Sequence, residues 1–261
     1  MPEGGSMSIK VRPISKASKR KPSKTKRRSV NILLNDATPF HVREAYKALR
    51  TNVMFSIAGS DGRVIGITSA VPGEGKSSTI MNLAITFAEI GKKVILLDCD
   101  LRRPNLLRIT NAKPGPGIAE VLAKFTGLDD VIRQTDYARL DAIYSGDVPP
   151  NPAELLGSKN MESLIEELKD RYDYILIDTP PVNIVTDGAV LSRLMDGLII
   201  VARENFSRRD ELLYAVNSLK FVNAKVIGTV LNDKAFQAKR SYRYSKYKSY
   251  YVRDYAEDTL D

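Results

Sequence analysis

The sequence predicts a doubly wound α/β domain, a mostly parallel β-sheet flanked by helices, and three observations carry that expectation. Short β-branched runs alternate with stretches of helical period from residue 64 to residue 232, the alternation that produces parallel strands joined by helices. The first run, 64–68, ends in a Gly-rich turn that opens directly onto a helix at Lys76, the strand–loop–helix context of a phosphate-binding loop. Two later runs end in Asp98 and Asp178, at the strand ends where such sheets bind ligands.

Taken in order, residues 1–30 hold ten Lys/Arg and one acid, Glu3, so they carry the chain's entire net charge of +9, and residues 31–261 sum to zero. Lys, Arg, Ser and Pro dominate residues 1–30 with little to bury, so this part is expected to be disordered, as a solvated tail or as a patch drawn to anionic lipid. Met7 is an alternative natural start. The globular part is not a basic, nucleic-acid-binding body. A helix is expected from Thr38-Pro39, with the Thr38 hydroxyl as its cap and Pro39 at its first position. Val42, Tyr46, Leu49 and Val53 would form its apolar face, with Glu44, Lys47 and Arg50 as a charged ridge on the opposite side. Such a ridge is commonly only solvated.

The loop after the first strand carries the chemistry. The amides of Gly73, Glu74, Gly75 and Lys76 can turn inward as an anion nest at a helix N-terminus, and Ser77 and Ser78 continue the nucleotide-binding run. Lys76 reaches toward the β- and γ-phosphates, and the Ser77 hydroxyl suits Mg²⁺. Ala70 stands where such loops usually have their first glycine. A second strand is expected over 93–97 and a third over 172–177, each followed by acids. Two acidic strand ends beside one such loop make metal and phosphate coordination the better reading of both.

Between and beyond them the pattern predicts a helix over 117–125, a strand over 139–144, and a rigid loop over 145–152 leading into 153–156. Helices follow over 159–169, 187–194 and 210–221, with strands over 198–202 and 226–231, the last closing at Asn232. The chain thus divides into a basic tail (1–30), a domain (31–233) and a flexible tail (234–261). The last segment holds six of the twelve tyrosines, Tyr242, Tyr244, Tyr247, Tyr250, Tyr251 and Tyr255, interleaved with Lys and Arg. Such a mixture can stack on single-stranded nucleic acid, but no binding fold accompanies it, and no nucleic-acid partner is expected. The single cysteine, Cys99, excludes an intrachain disulfide, suits a reducing cytosol and reads as a small core hydrophobe. No apolar run approaches the length of a membrane span and no signal-peptide pattern is present. A soluble chain that reaches a membrane only through a partner is expected.

In these residues, the sequence from about Glu44 onward resembles the cytoplasmic kinase domain of the bacterial tyrosine kinases (BY-kinases) of capsule and exopolysaccharide systems. The likeness rests on the P-loop at 70–77, on Asp98, Asp100 and Arg102 as the family's second acidic motif, and on Asp178 in Ile-Leu-Ile-Asp-Thr-Pro-Pro. The loop over 145–156 and the terminal tyrosines are similar too. The resemblance implies a P-loop NTPase fold and an ATP- and Mg²⁺-dependent protein-tyrosine autokinase. In it Asp98 accepts the tyrosine proton, Asp100 places metal and acceptor, and Asp178 holds Mg²⁺ through water. A phenol has a pKa near 10, so most of the acceleration is expected from positioning and charge neutralisation. The six tail tyrosines become phosphorylation sites, modified mainly between subunits.

Glu44, Lys47 and Arg50 match the family's ring-assembly motif, with Lys47 where the family has arginine, which loses a bidentate fork. The resemblance also implies a membrane-embedded activator of polysaccharide co-polymerase type, a cognate tyrosine phosphatase, and recruitment to the inner face of the cell membrane. The alternative is a partition-type ATPase of the MinD/ParA class, a nucleotide-dependent switch. Those proteins carry a signature lysine where this chain has Val71. A non-catalytic nucleotide-binding adaptor would lack Lys76 or one of the acids.

Overall fold

Alternation along the strands sends side chains into two cores, one on each face of a single sheet. The computed structural model describes residues 33–58 and 63–232. Among them seven strands occur: β1 (Val64–Ser69), β2 (Val94–Asp98), β3 (Arg133–Gln134), β4 (Leu140–Ile143), β5 (Tyr174–Asp178), β6 (Gly197–Arg203) and β7 (Val226–Asn232). They stand in the order β3-β4-β2-β5-β1-β6-β7. Every pairing is parallel except that of β3 with β4. On β2, Val94 and Leu96 enter one core while Ile95 and Leu97 enter the other; on β6, Ile199 and Val201 oppose Leu198 and Ile200. A sheet covered on both faces needs apolar residues at both parities, which is why these strands read as unbroken apolar runs.

The helices are α1 (Phe40–Ile57), α2 (Lys76–Glu89), α3 (Leu106–Ile109), α4 (Ile118–Leu122), α5 (Pro152–Leu156), α6 (Lys159–Lys169), α7 (Asp187–Leu191, continued by a 3-10 turn at Ser192–Leu194) and α8 (Arg209–Phe221). Helices α1 and α2 pack on one face of the sheet, and α6, α7 and α8 on the other. The Phe87 ring on α2 is fully buried, 4.3 Å from the Tyr174 ring at their centroids. Truncation there to alanine costs about 3–5 kcal/mol. No helix among the described residues is long and apolar enough to cross a membrane.

The doubly wound expectation is met, with corrections at the edges. Thr38 does not cap α1. Its hydroxyl accepts the Asn35 N–H at 2.9 Å, and the Asn35 side chain accepts the Ala37 N–H at 2.9 Å, so the turn before the helix uses both polar groups. Pro39 is the N-cap, extended at ψ 139°. Polar side chains that can bond backward as well as forward compete in this way. Strand β2 starts at Val94 because the Lys93 N–H is taken by the Asp173 carboxylate at 2.8 Å. Helix α4 is shorter than expected, stopped where Lys124 turns left-handed at φ 61°.

The charged ridge on α1 is not on the side opposite the core. All three residues are half-buried: Glu44 and Lys47 pair at 2.9 Å, while Arg50 leans across to donate to the Thr86 carbonyl of α2 at 2.6 Å. One feature had no counterpart in the periodic pattern. Leu33 and Leu34 are buried ahead of α1, where the Leu34 N–H meets the Asn82 side chain at 2.9 Å and its carbonyl the Tyr137 hydroxyl at 3.0 Å. The basic tail (1–30) and the tyrosine-rich tail (234–261), with all six candidate phosphorylation sites, lie outside the described residues.

Candidate active site

Sheet order, rather than nearness in sequence, assembles the site. Strands β2, β5 and β1 are neighbours, with Asp98 level with Asp178 and Asp178 level with Ile67. The two acids therefore meet at the C-terminal edge, beside the loop that leaves β1, where open α/β sheets bind ligands. In that loop Gly73 and Gly75 adopt φ of 89° and 96°, a left-handed conformation that glycine takes without strain. Lys76, Ser77 and Ser78 follow in the first turn of α2, a loop and helix N-terminus of the kind that can bind an anion.

Lys76 is the cation of this cluster. Its Nζ lies 2.8 Å from Asp100 Oδ2, 3.4 Å from Asp178 Oδ1 and 3.5 Å from Ser77 Oγ. Burial works against its charge, but Asp178 and Asp100 outweigh burial and raise its pKa, so the ammonium stays protonated. Asp100 also accepts the Arg103 N–H at 3.1 Å, which folds the second acidic motif back over the loop. Asp98 is fully buried; its Oδ2 accepts the Leu106 N–H at 3.1 Å, and its Oδ1 has no partner. Burial, then the charge of Asp178, pushes its pKa up to about 8. Asp178 is raised as well, by burial first, against the lowering effects of Lys76 and the Ser77 hydroxyl; its Oδ2 is also unpartnered.

Three carboxylates around one ammonium, with two buried carboxylate oxygens unsatisfied, form an environment that a divalent cation would relieve. Among the described residues no group of three or more His, Cys, Asp or Glu is arranged to hold a metal by itself. Mg²⁺ differs from such sites, since it keeps waters and substrate phosphates and takes only one or two carboxylates. Ser77 with Asp100 and Asp178 suits it. Cys99, between Asp98 and Asp100, is buried and its thiol is pushed well up by burial, so it remains an inert core residue.

The sequence pattern names Arg102 and Glu74 but misses what their side chains contact. Arg102 grips the buried Asp187 of α7 with two hydrogen bonds, 2.9 Å from Nε and 3.1 Å from the NH2 group, which pins the second acidic motif to the far helix layer. Glu74, expected to contribute its amide, also buries its carboxylate, whose Oε2 accepts the Val71 N–H at 3.0 Å. The Arg102 contact has no local sequence signal, since Arg102 and Asp187 lie 85 positions apart; the Glu74 contact is local, three positions from Val71, but the loop pattern assigns that position only its backbone.

Comparison with known proteins shows the family to which the fold and sequence belong. The family model described as an AAA domain matches residues 62–226. The tyrosine-protein kinase YwqD of Bacillus subtilis (strain 168) is 36% identical over 201 residues, spanning 77% of this chain and 85% of that one. The kinase domain of Escherichia coli tyrosine kinase ETK superposes with a TM-score of 0.71 at 34% identity, covering 74% of this chain and 76% of that one. The chimerical protein CapA2B2 gives 0.70 at 35%, covering 72% and 83%. The septum site-determining protein MinD of Pyrococcus horikoshii OT3, complexed with Mg-ADP, is more distant, at 0.57 and 26%, covering 68% and 72%. Such agreement, along most of the sequence, places the chain in the bacterial tyrosine-kinase family, as a protein-tyrosine kinase built on a P-loop domain of AAA type.

Proposed function

We propose that the chain transfers the γ-phosphoryl group of ATP to its own C-terminal tyrosines, Tyr242, Tyr244, Tyr247, Tyr250, Tyr251 and Tyr255, mainly between subunits. It does so in capsule or exopolysaccharide synthesis and export, at the inner face of the cell membrane, beside a membrane activator and opposed by a tyrosine phosphatase. One observation carries this reading: Lys76, Asp98, Asp100 and Asp178 converge at the sheet edge against a loop held open by two left-handed glycines.

In this mechanism the amides of Gly73, Glu74, Gly75 and Lys76, with the N-terminus of α2 at Ser77 and Ser78, bind the phosphates. Ser77, Asp100 and Asp178 would hold Mg²⁺, which would supply charge neutralisation on the phosphates. Lys76 spans the acids and the transferring group as a fixed positive charge. Asp98 takes the proton of the incoming tyrosine hydroxyl as the tyrosine oxygen bonds to the γ-phosphorus and the bond from that phosphorus to the bridging oxygen breaks, releasing ADP. Only the ionised carboxylate accepts that proton: a group lifted to about 8 in the metal-free site is closer in basicity to a phenol near 10, and it is held protonated below that pH. The CapA2B2 chimera, which as named joins a second component to a kinase of this type, supports the activator.

The test is the purified chain with Mg-ATP, with and without the cytosolic peptide of a co-encoded membrane partner, followed by mass spectrometry for phosphotyrosine. Tail phosphorylation should rise saturably with the peptide and vanish in Lys76→Met, whose fold is checked by circular dichroism. Near-normal phosphotyrosine in Lys76→Met overturns the assignment. The MinD-like neighbour favours a second reading, a nucleotide-dependent ATPase switch. Val71, packed against the core in place of a signature lysine, opposes it. ATP hydrolysis without phosphotyrosine would restore it.

A further inference from the structure

The carbonyl groups of the phosphate loop are tied down by residues far along the chain. Asn232, at the end of β7, donates from Nδ2 to the Glu74 carbonyl at 2.9 Å. Arg203, at the end of β6, donates from its guanidinium to the Gly73 carbonyl at 3.3 Å, and the same group lies 5.0 Å from the Phe206 ring centroid. A trans peptide is planar, so the carbonyl of one residue and the N–H of the next point in opposite directions. Tying the carbonyls of Gly73 and Glu74 to one side therefore turns the amides of Glu74 and Gly75 to the other.

The same loop is clamped through a side chain. The Glu74 carboxylate accepts the Ser207 hydroxyl on Oε1 and the Val71 N–H on Oε2. Ser207 Oγ accepts in turn from the Arg203 N–H at 2.6 Å, and the Glu204 N–H bonds the Asn232 carbonyl at 3.0 Å. Asn205 completes this turn at φ 55°, a left-handed conformation that asparagine tolerates. Residues 203–207 and Asn232 are thus one hydrogen-bonded bracket behind the loop. Its fit is close: a Cβ on Gly75 would lie 2.0 Å from Asn232 Nδ2.

We propose that Arg203, Ser207 and Asn232 are positioning residues for phosphoryl transfer, holding the Glu74 and Gly75 amides in the direction that receives phosphate. This rests on the reading of the loop as the nucleotide site and extends it to residues 130, 133 and 158 positions away in sequence. It has a structural corollary. Asn232 lies two positions before the tyrosine-rich segment that begins at residue 234, so the chain leaves the phosphate loop's bracket close to its proposed substrate region.

The test separates positioning of phosphate from contact with the base. Binding of ADP and of inorganic triphosphate, which has neither base nor ribose, is measured by calorimetry in Mg²⁺ for the full chain and for Asn232→Leu, which keeps the volume and removes the donor. Wild-type ADP binding is measured first and tests the underlying nucleotide-site reading separately. The bracket predicts that Asn232→Leu weakens both ligands by the same factor, about tenfold, and raises KM for ATP more than it lowers kcat. Weakened ADP binding with triphosphate unchanged would mean contact with the nucleoside and overturn the proposal. If circular dichroism shows Asn232→Leu unfolded, Ser207→Ala decides by the same criterion, with Ser207→Thr restoring both affinities because it keeps the hydroxyl. Unchanged triphosphate binding in folded Ser207→Ala then overturns it.

Discussion

Asp98→Asn should make the chain more stable and nearly inactive at once. The Asp98 carboxyl is fully buried, its Oδ1 has no partner, and burial with the facing Asp178 moves its pKa from 3.8 to about 8. Below pH 4 folded and unfolded chains both hold the proton, and the site carries no ionisation penalty. As pH rises from 3.8 to about 8 the unfolded chain gives up its proton while the folded chain keeps it, so stability falls across that window and levels off above it. At about 1.4 kcal/mol for each unit, the whole penalty is on the order of 6 kcal/mol. That is an upper bound on what asparagine recovers, because its new NH₂ group must itself find a partner at the site.

We expect a gain of about 1–3 kcal/mol at pH 8, and each kcal/mol is worth roughly 2–4 °C in a domain of this size. Calorimetry of the chain in EDTA without nucleotide, at pH 5 and pH 8, should show the variant's advantage widening with pH. Phosphotyrosine formation under Mg-ATP should fall by at least about two orders of magnitude, as when a preorganised catalytic charge is removed. A variant no more stable than its parent at pH 8, or an advantage that shrinks as pH rises, refutes the reasoning.

The remaining predictions concern contacts that the topology creates. Arg102→Ala leaves the Asp187 carboxylate buried and unpaired; with the arginine side chain 41% exposed and partly screened, the loss should be about 1–3 kcal/mol. In urea unfolding, Arg102→Ala with Asp187→Asn should cost less than the two singles together, and strict additivity would show that the pair does not couple. Glu44→Lys should weaken self-assembly in light scattering if the α1 flank contacts a neighbour, whereas Arg50→Glu should also lower thermal stability because Arg50 holds the Thr86 carbonyl. An unchanged oligomer in both would remove the flank from the interface. Transfer between subunits is tested by mixing Lys76→Met chains with chains whose six tail tyrosines are phenylalanine. Phosphotyrosine should appear on the Lys76→Met chains, and its absence from a confirmed mixed oligomer counts against trans transfer.

The parts of this architecture legible in sequence are those whose signals are local. A buried strand, a Gly-rich turn and a helix opening at Lys76 are contiguous, and Asp98 and Asp178 each end an apolar run, so the loop and both acids can be placed before any pairing is known. Helix α6 matches its expected bounds, Lys159–Lys169, because its apolar period is strong and Ser158 caps it, accepting the Met161 N–H at 3.4 Å. Where local signals compete, the pattern misleads. Thr38 had a choice between capping forward and closing a turn backward, and composition cannot decide between the two. The two-residue β3 has no period to detect, and Leu33-Leu34 belongs to no periodic element at all.

Glu74 shows why the rest of the site could not be read in the same way. Its place in a Gly-rich loop assigns its backbone, because phosphate nests use amides and any side chain at that position fits the pattern. Its carboxylate, however, is buried and bonded to a serine 133 positions away, and its carbonyl to an asparagine 158 positions away. Those partners arrive because β6 lies beside β1 and β7 beside β6, which brings the C-terminal ends of both strands behind the loop. A contact of this kind is written in strand order, and strand order depends on how all of the apolar runs share two cores. The phosphate loop can therefore be recognised from its own residues, whereas the bracket that aims its amides exists only once the sheet has formed.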